Sequence, residues 1–429
     1  MKVVFLGGGS TYIPIIIYEL IKNDFILDEI VFVDKINESM HIIGNFCKQI
    51  IQSEEVKITF CNDIDKNTLG SDVIISLYRS RGSEGRGIDE RLGSDFGILG
   101  QESQGIGGFS SALRNIQILS EYVPKIKKYC PNALFLNITN PSGIVTYAAN
   151  ILGLNAIGIC DAPYAMKKKI ADFFQIDIKQ MDIDYFGLNH LGWITDIRVK
   201  DVSIIGEIIN SECLNELMEH IKQINIPFSI NEIQFIRSIN AIPSSYLVYY
   251  YQTAEVIEYL LRQSESRAKQ VEDANKIILN GFKNGNMSKW PEFFIRSRGG
   301  YLLGETISSF LKSYFKNEED KHIICIKNSS YFQEISSDSV IEVSAKINGE
   351  NIEPVNQEIC FHMKELVQKI SLYEKLTAEA ALEGNFDKAI KALELHPLIC
   401  KADKKNKLLE TIILTYKNEL PRFWNVIKE

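Results

Sequence analysis

The chain has 429 residues, 45% of them hydrophobic and 24% charged, with a formal net charge of −8. This is ordinary globular composition, long enough for two packed domains, and its acidic balance argues against nucleic acid or an anionic membrane as the main partner. Eight cysteines at 47, 61, 130, 160, 213, 325, 360 and 400 form no CxxC pair, and Met1-Lys2 runs straight into VVFLGGG, so reduced thiols in a cytoplasmic protein are expected. The apolar run from Tyr12 to Ile21 is too short and interrupted to span a bilayer.

In chain order, Val3–Leu6 reads as a strand ending in Gly7-Gly8-Gly9-Ser10, followed by a helix to about Lys22. Ile30–Val33 is a second β-branched run ending in Asp34, with a helix over about Glu38–Ser53. Val73–Leu77, Ala133–Ile138 and Ala156–Ile159 are further short apolar runs bounded by turn residues, and Ser110–Tyr129 is helical. This alternation predicts an α/β fold with a Rossmann-like, doubly wound parallel sheet over residues 1–165. After Pro163 the pattern changes. Met181–Phe186 and Gly192–Val199 read as antiparallel strands around GLNHLGW. A helix is expected from Glu255 to about Asn284, then strands at Ile323–Ile326 and Val340–Ile347. From Pro354 the chain is helical in blocks, broken at Gly384-Asn385 and His396-Pro397. Residues 166–429 are therefore expected to form a packed α+β domain.

A strand, a tight glycine turn and a helix let backbone N–H groups face a pyrophosphate. Gly7 and Gly9 supply two glycines of that fingerprint, while Tyr12 stands where the third usually lies. Gly7, Gly9, Ser10 and Thr11 are the expected cofactor contacts. Asp34 completes them, because a carboxylate there binds ribose hydroxyls and repels a 2′-phosphate, favouring NAD over NADP.

Cys160 and His190 offer a thiolate and an imidazole to a metal, although each residue type is also common as a structural core group. Two protein ligands leave room for substrate oxygens on an octahedral ion such as Mn²⁺. Asp161 reads either as a general acid or as a cap for the helix near Pro163. The tyrosines of Ser245–Tyr251 suit aromatic or sheet packing, and one of them becomes a base only beside a cation. Arg79, Arg86, Arg267 and Arg298 are candidates to grip a phosphate, or are simply structural.

Taken in order, GGGSTY (7–12), GQESQGIGG (100–108), NITNPSGIV (137–145), CDAP (160–163), YFGLNHLGW (185–193), PSSYLVYYYQT (243–253), RGG (298–300) and AEAALEGNFDKAI (378–390) resemble glycoside hydrolase family 4. Those enzymes are NAD- and metal-dependent phospho-glycosidases that stand outside the two-carboxylate scheme. The resemblance implies that Cys160 and His190 are metal ligands, Tyr246 the catalytic base and Asp161 the proton donor. It places Arg86, Asn140 and Asn189 at the substrate and Arg267 at its phosphate. The implied chemistry is redox-assisted elimination. Hydride leaves C3 of the sugar for NAD⁺, Tyr246 takes the acidified C2 proton, the C1–O bond breaks, water adds and the hydride returns.

Asp161, in a C-D-P pattern, resembles the 6-phospho-α-glucosidases. The RGG, AEAALEGNFDKA and QT stretches resemble the 6-phospho-β-glucosidases, and similarity along the whole chain favours the β group. The alternatives are an α-glucosidase or an NAD-dependent sugar dehydrogenase. The resemblance further implies a phosphorylated disaccharide or glucoside as substrate and a homodimer or homotetramer.

Overall fold

The computed structural model describes residues 1–35, 37–223, 226, 228–285, 298–399 and 405–428. Six strands, β1 (Lys2–Leu6), β2 (Glu29–Val33), β3 (Lys57–Cys61), β4 (Val73–Ser76), β5 (Leu134–Asn137) and β6 (Ala156–Gly158), run parallel in the order β3-β2-β1-β4-β5-β6. That order is the dinucleotide-binding one, with the winding reversing between β1 and β4. Central strands such as Val3–Leu6 and Val73–Ser76 are wholly buried, which is why they read as unbroken apolar runs and not as alternation. The connecting helices are α1 (Ile13–Lys22), α2 (Glu38–Ile51), α3 (Gly82–Asp95), α4 (Gly105–Tyr129), α5 (Ser142–Ile151) and α6 (Ala162–Phe174).

The second half adds antiparallel strands to the same sheet. β7 (Met181–Leu188) and β8 (Leu191–Val199) form the hairpin around Asn189-His190, flanked by the short β9 (Val202–Ser203) and β10 (Ile242–Pro243) on β8. β11 (Asp320–Lys327), β12 (Val340–Asn348) and β13 (Asn351–Pro354) complete a thirteen-stranded sheet among the described residues. The halves join where β6 meets β11 at Gly158 and Cys325. A Cβ on Gly158 would lie 2.8 Å from that of Cys325, so glycine lets the two strands close up. We propose the division at residues 165/166 as a change of role along a sheet that runs across it.

Two expectations are revised, and two elements have no counterpart in the sequence reading. The helix expected from Glu255 to Asn284 is two helices, Thr253–Leu261 and Arg267–Lys283, the second capped by the Ser266 side chain accepting from the Lys269 N–H. The tyrosine-rich segment is no strand: Ser245–Leu247 is a 3₁₀ turn and Val248–Tyr251 a single helical turn. The edge strand β3 and helix α3 carry weak signals, the former only half-buried and the latter bearing Gly82, Gly85, Gly87 and Gly93. The helix Phe361–Glu383 packs on α4 and α5 and ends at Gly384, in the left-handed region, as its break signal implies. No helix among the described residues is long and apolar enough to cross a membrane.

Candidate active site

The turn after β1 is shaped by its glycines. Gly7 has φ +92°, and a Cβ there would stand 2.7 Å from the Tyr78 nitrogen, so no other residue fits. The Gly7 and Gly8 N–H groups donate to the Val33 carbonyl at 2.9 and 3.2 Å. The Gly9 N–H donates to Asp34 Oδ2 at 3.2 Å, which ties the turn to the carboxylate expected to read the ribose. A Cβ on Gly9 would meet only that oxygen, at 3.4 Å, so the backbone is open where a pyrophosphate approaches. The Ser10 N–H donates to the Gly7 carbonyl, and buried Thr11 donates to Asn275 Oδ1 at 3.0 Å while accepting from Arg298. These groups fit a dinucleotide. Tyr12 lies under the Arg298 guanidinium, 3.9 Å from ring centre to carbon. Close packing on α1 comes instead from Gly304, whose Cβ would sit 2.6 Å from the Ile15 carbonyl oxygen.

Cys160 follows β6 directly, and His190 sits at the tip of the β7–β8 hairpin with φ +61°. Their side chains meet, with Sγ 3.4 Å from Nε2. The imidazole is held on its other side by Ser103 Oγ, 2.6 Å from Nδ1. The Tyr246 ring stacks on the imidazole at 3.8 Å and 4°. Burial pushes His190 down to about 4, leaving it neutral and able to coordinate. Burial, aided by the Glu342 and Asp161 carboxylates, raises the Cys160 thiol well above its ordinary range. A thiol so placed ionises only against a cation, so Cys160 suits a metal better than the role of free nucleophile. Among the described residues, no group of three or more His, Cys, Asp and Glu forms a ready cage. The pair therefore fits an ion that takes its other ligands from substrate or water.

Asp161 occupies the N-cap position of α6 but makes no capping side-chain hydrogen bond, so the capping alternative does not account for it. Burial raises its carboxyl to about 6. Burial also raises the Tyr246 phenol well above its usual value. The Asn189 amide donates to buried Glu342 Oε1 at 3.0 Å, so at least one of its donors supports the hairpin tip. Asn140 is half-buried, and its main-chain carbonyl accepts from Asn115 Nδ2 at 2.8 Å.

The arginines converge as well. Arg79 and buried Arg86 pair with Glu102 at 2.6 and 2.7 Å, and Arg86 also holds Glu90 at 2.8 Å. Burial alone would raise the Glu102 carboxyl, but Arg86 and Arg79 together hold it well below the carboxylate range. Arg267 donates to the Arg298 carbonyl at 3.2 Å. Burial lowers its pKa, and the like charge of Arg86 lowers it further. Four guanidinium groups against the two paired carboxylates leave an excess of positive charge suited to an anion.

The model described as Family 4 glycosyl hydrolase matches residues 2–176, and that of the Family 4 glycosyl hydrolase C-terminal domain matches residues 185–399. The chain belongs to glycosyl hydrolase family 4. Family members similar over the whole length include a 6-phospho-β-glucosidase of Escherichia coli, 29% identical and covering 100% of this chain and 98% of its own. The 6-phospho-β-glucosidase of Thermotoga maritima is 29% identical, covering 96% of this chain and 98% of its own. A 6-phospho-α-glucosidase of Leptotrichia buccalis is 27% identical, covering 100% and 99%. The T. maritima enzyme solved with manganese, NAD⁺ and glucose-6-phosphate superposes with a TM-score of 0.86 at 26% identity, covering 98% of this chain and 99% of that one.

Within this family 4 fold the glycine turn, Asp34, Asn140, Cys160 and Asp161 follow the carboxyl ends of β1, β2, β5 and β6, where open α/β sheets bind ligands, while Arg86 and Arg267 lie on helices. Sequence reasoning missed Glu102, Ser103 and Glu342. The first two lie inside the quoted GQESQGIGG stretch, so their position was marked but their partners were not. Glu342 lies in an apolar strand run and gave no signal beyond a charge where none is expected.

Proposed function

We propose that this family 4 chain is a 6-phospho-β-glucosidase, cleaving phosphorylated β-glucosides with NAD⁺ and a divalent ion such as Mn²⁺. The observation that carries the reading is the meeting of Cys160, His190 and the stacked Tyr246 ring, with His190 held by Ser103 next to the arginine-paired Glu102, and with Arg267 on the Arg298 carbonyl and Arg298 on Thr11 of the glycine turn. Cys160 Sγ and His190 Nε2 would hold the ion, and Gly7, Gly9, Ser10, Thr11 and Asp34 the dinucleotide. Bound there, the two groups supply a hydride acceptor for C3 and a Lewis acid that lowers the pKa of a neighbouring phenol. Tyr246 then takes the proton from C2, and Asp161 returns one to the leaving oxygen. Arg267 grips the 6-phosphate, while Arg86, Asn140 and Asn189 orient the sugar. Because Glu102 and Glu90 pin Arg86 from both ends, it acts as a fixed charge and not as a mobile arm.

Relatives named for both anomers match along the full chain, the β enzymes at 27–29% identity and the α enzymes at 25–28%, and together with the RGG, AEAALEGNFDKA and QT stretches this supports β over the Asp161 signature. The seven described cysteines are all free, which supports a cytoplasmic setting, and we read the assembly as a homodimer or homotetramer. The test presents α- and β-linked chromogenic 6-phospho-glucosides side by side with NAD⁺ and Mn²⁺. Faster turnover of the β-linked substrate is expected, and faster turnover of the α-linked one overturns the anomer assignment while leaving elimination intact.

A further inference from the structure

We infer that Gln101 and Ser103 are positioning residues that select the tautomer of His190, so that its Nε2 lone pair faces Cys160. The inference rests on reading Cys160 and His190 as the metal ligands and adds what prepares the imidazole to be one.

The assignment follows from counting protons. A serine hydroxyl has one hydrogen to give. Gln101 Oε1 accepts the Ser103 backbone N–H at 2.8 Å, which identifies that atom of the amide as its oxygen. The same oxygen lies 2.9 Å from Ser103 Oγ and takes the hydroxyl proton. Ser103 Oγ can then meet His190 Nδ1, 2.6 Å away, only as an acceptor. The imidazole proton is therefore on Nδ1, and Nε2 carries the lone pair 3.4 Å from Cys160 Sγ. The opposite tautomer would require the hydroxyl to abandon Gln101. Turning the hydroxyl proton to Nδ1 would leave the lone pairs of Ser103 Oγ and Gln101 Oε1 facing each other across 2.9 Å, held there by the Ser103 backbone N–H bond.

Two further contacts complete the hold on the ring. Tyr246 fixes its plane by stacking. The Asn189–Glu342 bond anchors the hairpin tip from which it projects. Neither distinguishes the two ring nitrogens, whereas the Gln101–Ser103 relay does. An outer partner of this kind sets the tautomer and basicity of a metal-binding histidine.

The experiment titrates Mn²⁺ alone into the full-length protein by calorimetry and records the metal-free melting temperature of each variant. Ser103→Ala should weaken Mn²⁺ binding by about 10- to 100-fold with little change in metal-free melting. Ser103→Thr, which keeps the hydroxyl, should bind like wild type. Gln101→Leu should weaken binding in the same direction, while Gln101→Glu, which keeps an acceptor, should not. Wild-type affinity in both Ser103→Ala and Gln101→Leu overturns the inference alone. Weakened binding accompanied by a large fall in metal-free melting assigns the pair to folding and overturns it too. Wild-type protein showing no Mn²⁺ binding that Cys160→Ser removes overturns the metal-site reading, and this inference with it.

Discussion

At the dinucleotide edge, the contacts that shape the turn come from one βαβ unit: Gly7, Gly8 and Gly9 are held by Val33 and Asp34 at the end of the neighbouring strand. At the cation corner, Ser103, Cys160, His190, Tyr246 and Glu342 arrive from five separate segments and meet only when the sheet closes through β6 and β11. The first site is a property of local chain geometry. The second is a property of packing, and burial there favours the neutral forms of the Cys160 thiol and the His190 imidazole.

Substitutions should therefore act differently at the two places. The largest effect is expected from Cys160→Ser or His190→Ala, which should remove metal-dependent turnover altogether while leaving NAD⁺ affinity, measured by fluorescence quenching, near wild type. A parallel loss of NAD⁺ binding would show that the two edges are coupled. Tyr246→Phe should follow, with kcat lower by roughly 10²- to 10⁴-fold, the range for a lost general base, and Mn²⁺ affinity retained. Unchanged kcat would remove the phenol from the reaction.

Gly7→Ala should act on the fold at the other edge. Positive φ and a 2.7 Å approach to Tyr78 predict a loss of roughly 2–4 kcal/mol in stability, measured by denaturation. The smallest effect concerns His396, buried behind the tyrosine segment with its Nδ1 accepting the Leu398 N–H at 3.2 Å. Burial depresses it to about 3, so the folded state binds fewer protons than the unfolded chain between that value and the ordinary histidine range. Its contribution is complete above about pH 6.5 and fades as pH falls, by about 2 kcal/mol at pH 5. The fall in stability from pH 7 to 5 should be shallower in His396→Gln, and an identical slope would contradict the assignment.

The same contrast decides what the sequence could reveal. The parallel strands were legible because full burial leaves unbroken runs such as VVFL and VIIS between turn residues, and the Asn189-His190 hairpin because short β segments flank it. β3 and α3 were not, since the one is a half-buried edge strand and the other is glycine-rich and gains its order from packing on α4 and on the helix Arg267–Lys283. Gly7, Gly9 and Asp34 could be read from spacing alone. Cys160, His190 and Tyr246 could not, because each residue type is common in cores and their proximity spans 86 positions. Only the resemblance to family 4 joined them. Ser103 and Glu342 act through partners distant in sequence, so nothing in their neighbours announces them.

The central claim is that a phenol removes the C2 proton of a sugar oxidised transiently beside it. Turnover of a 6-phospho-β-glucoside in D₂O, with NAD⁺ and Mn²⁺ present, tests it most directly. The account predicts released sugar carrying deuterium at C2 and no accumulation of NADH. Product holding only hydrogen at C2, or NADH formed in step with product, would contradict it.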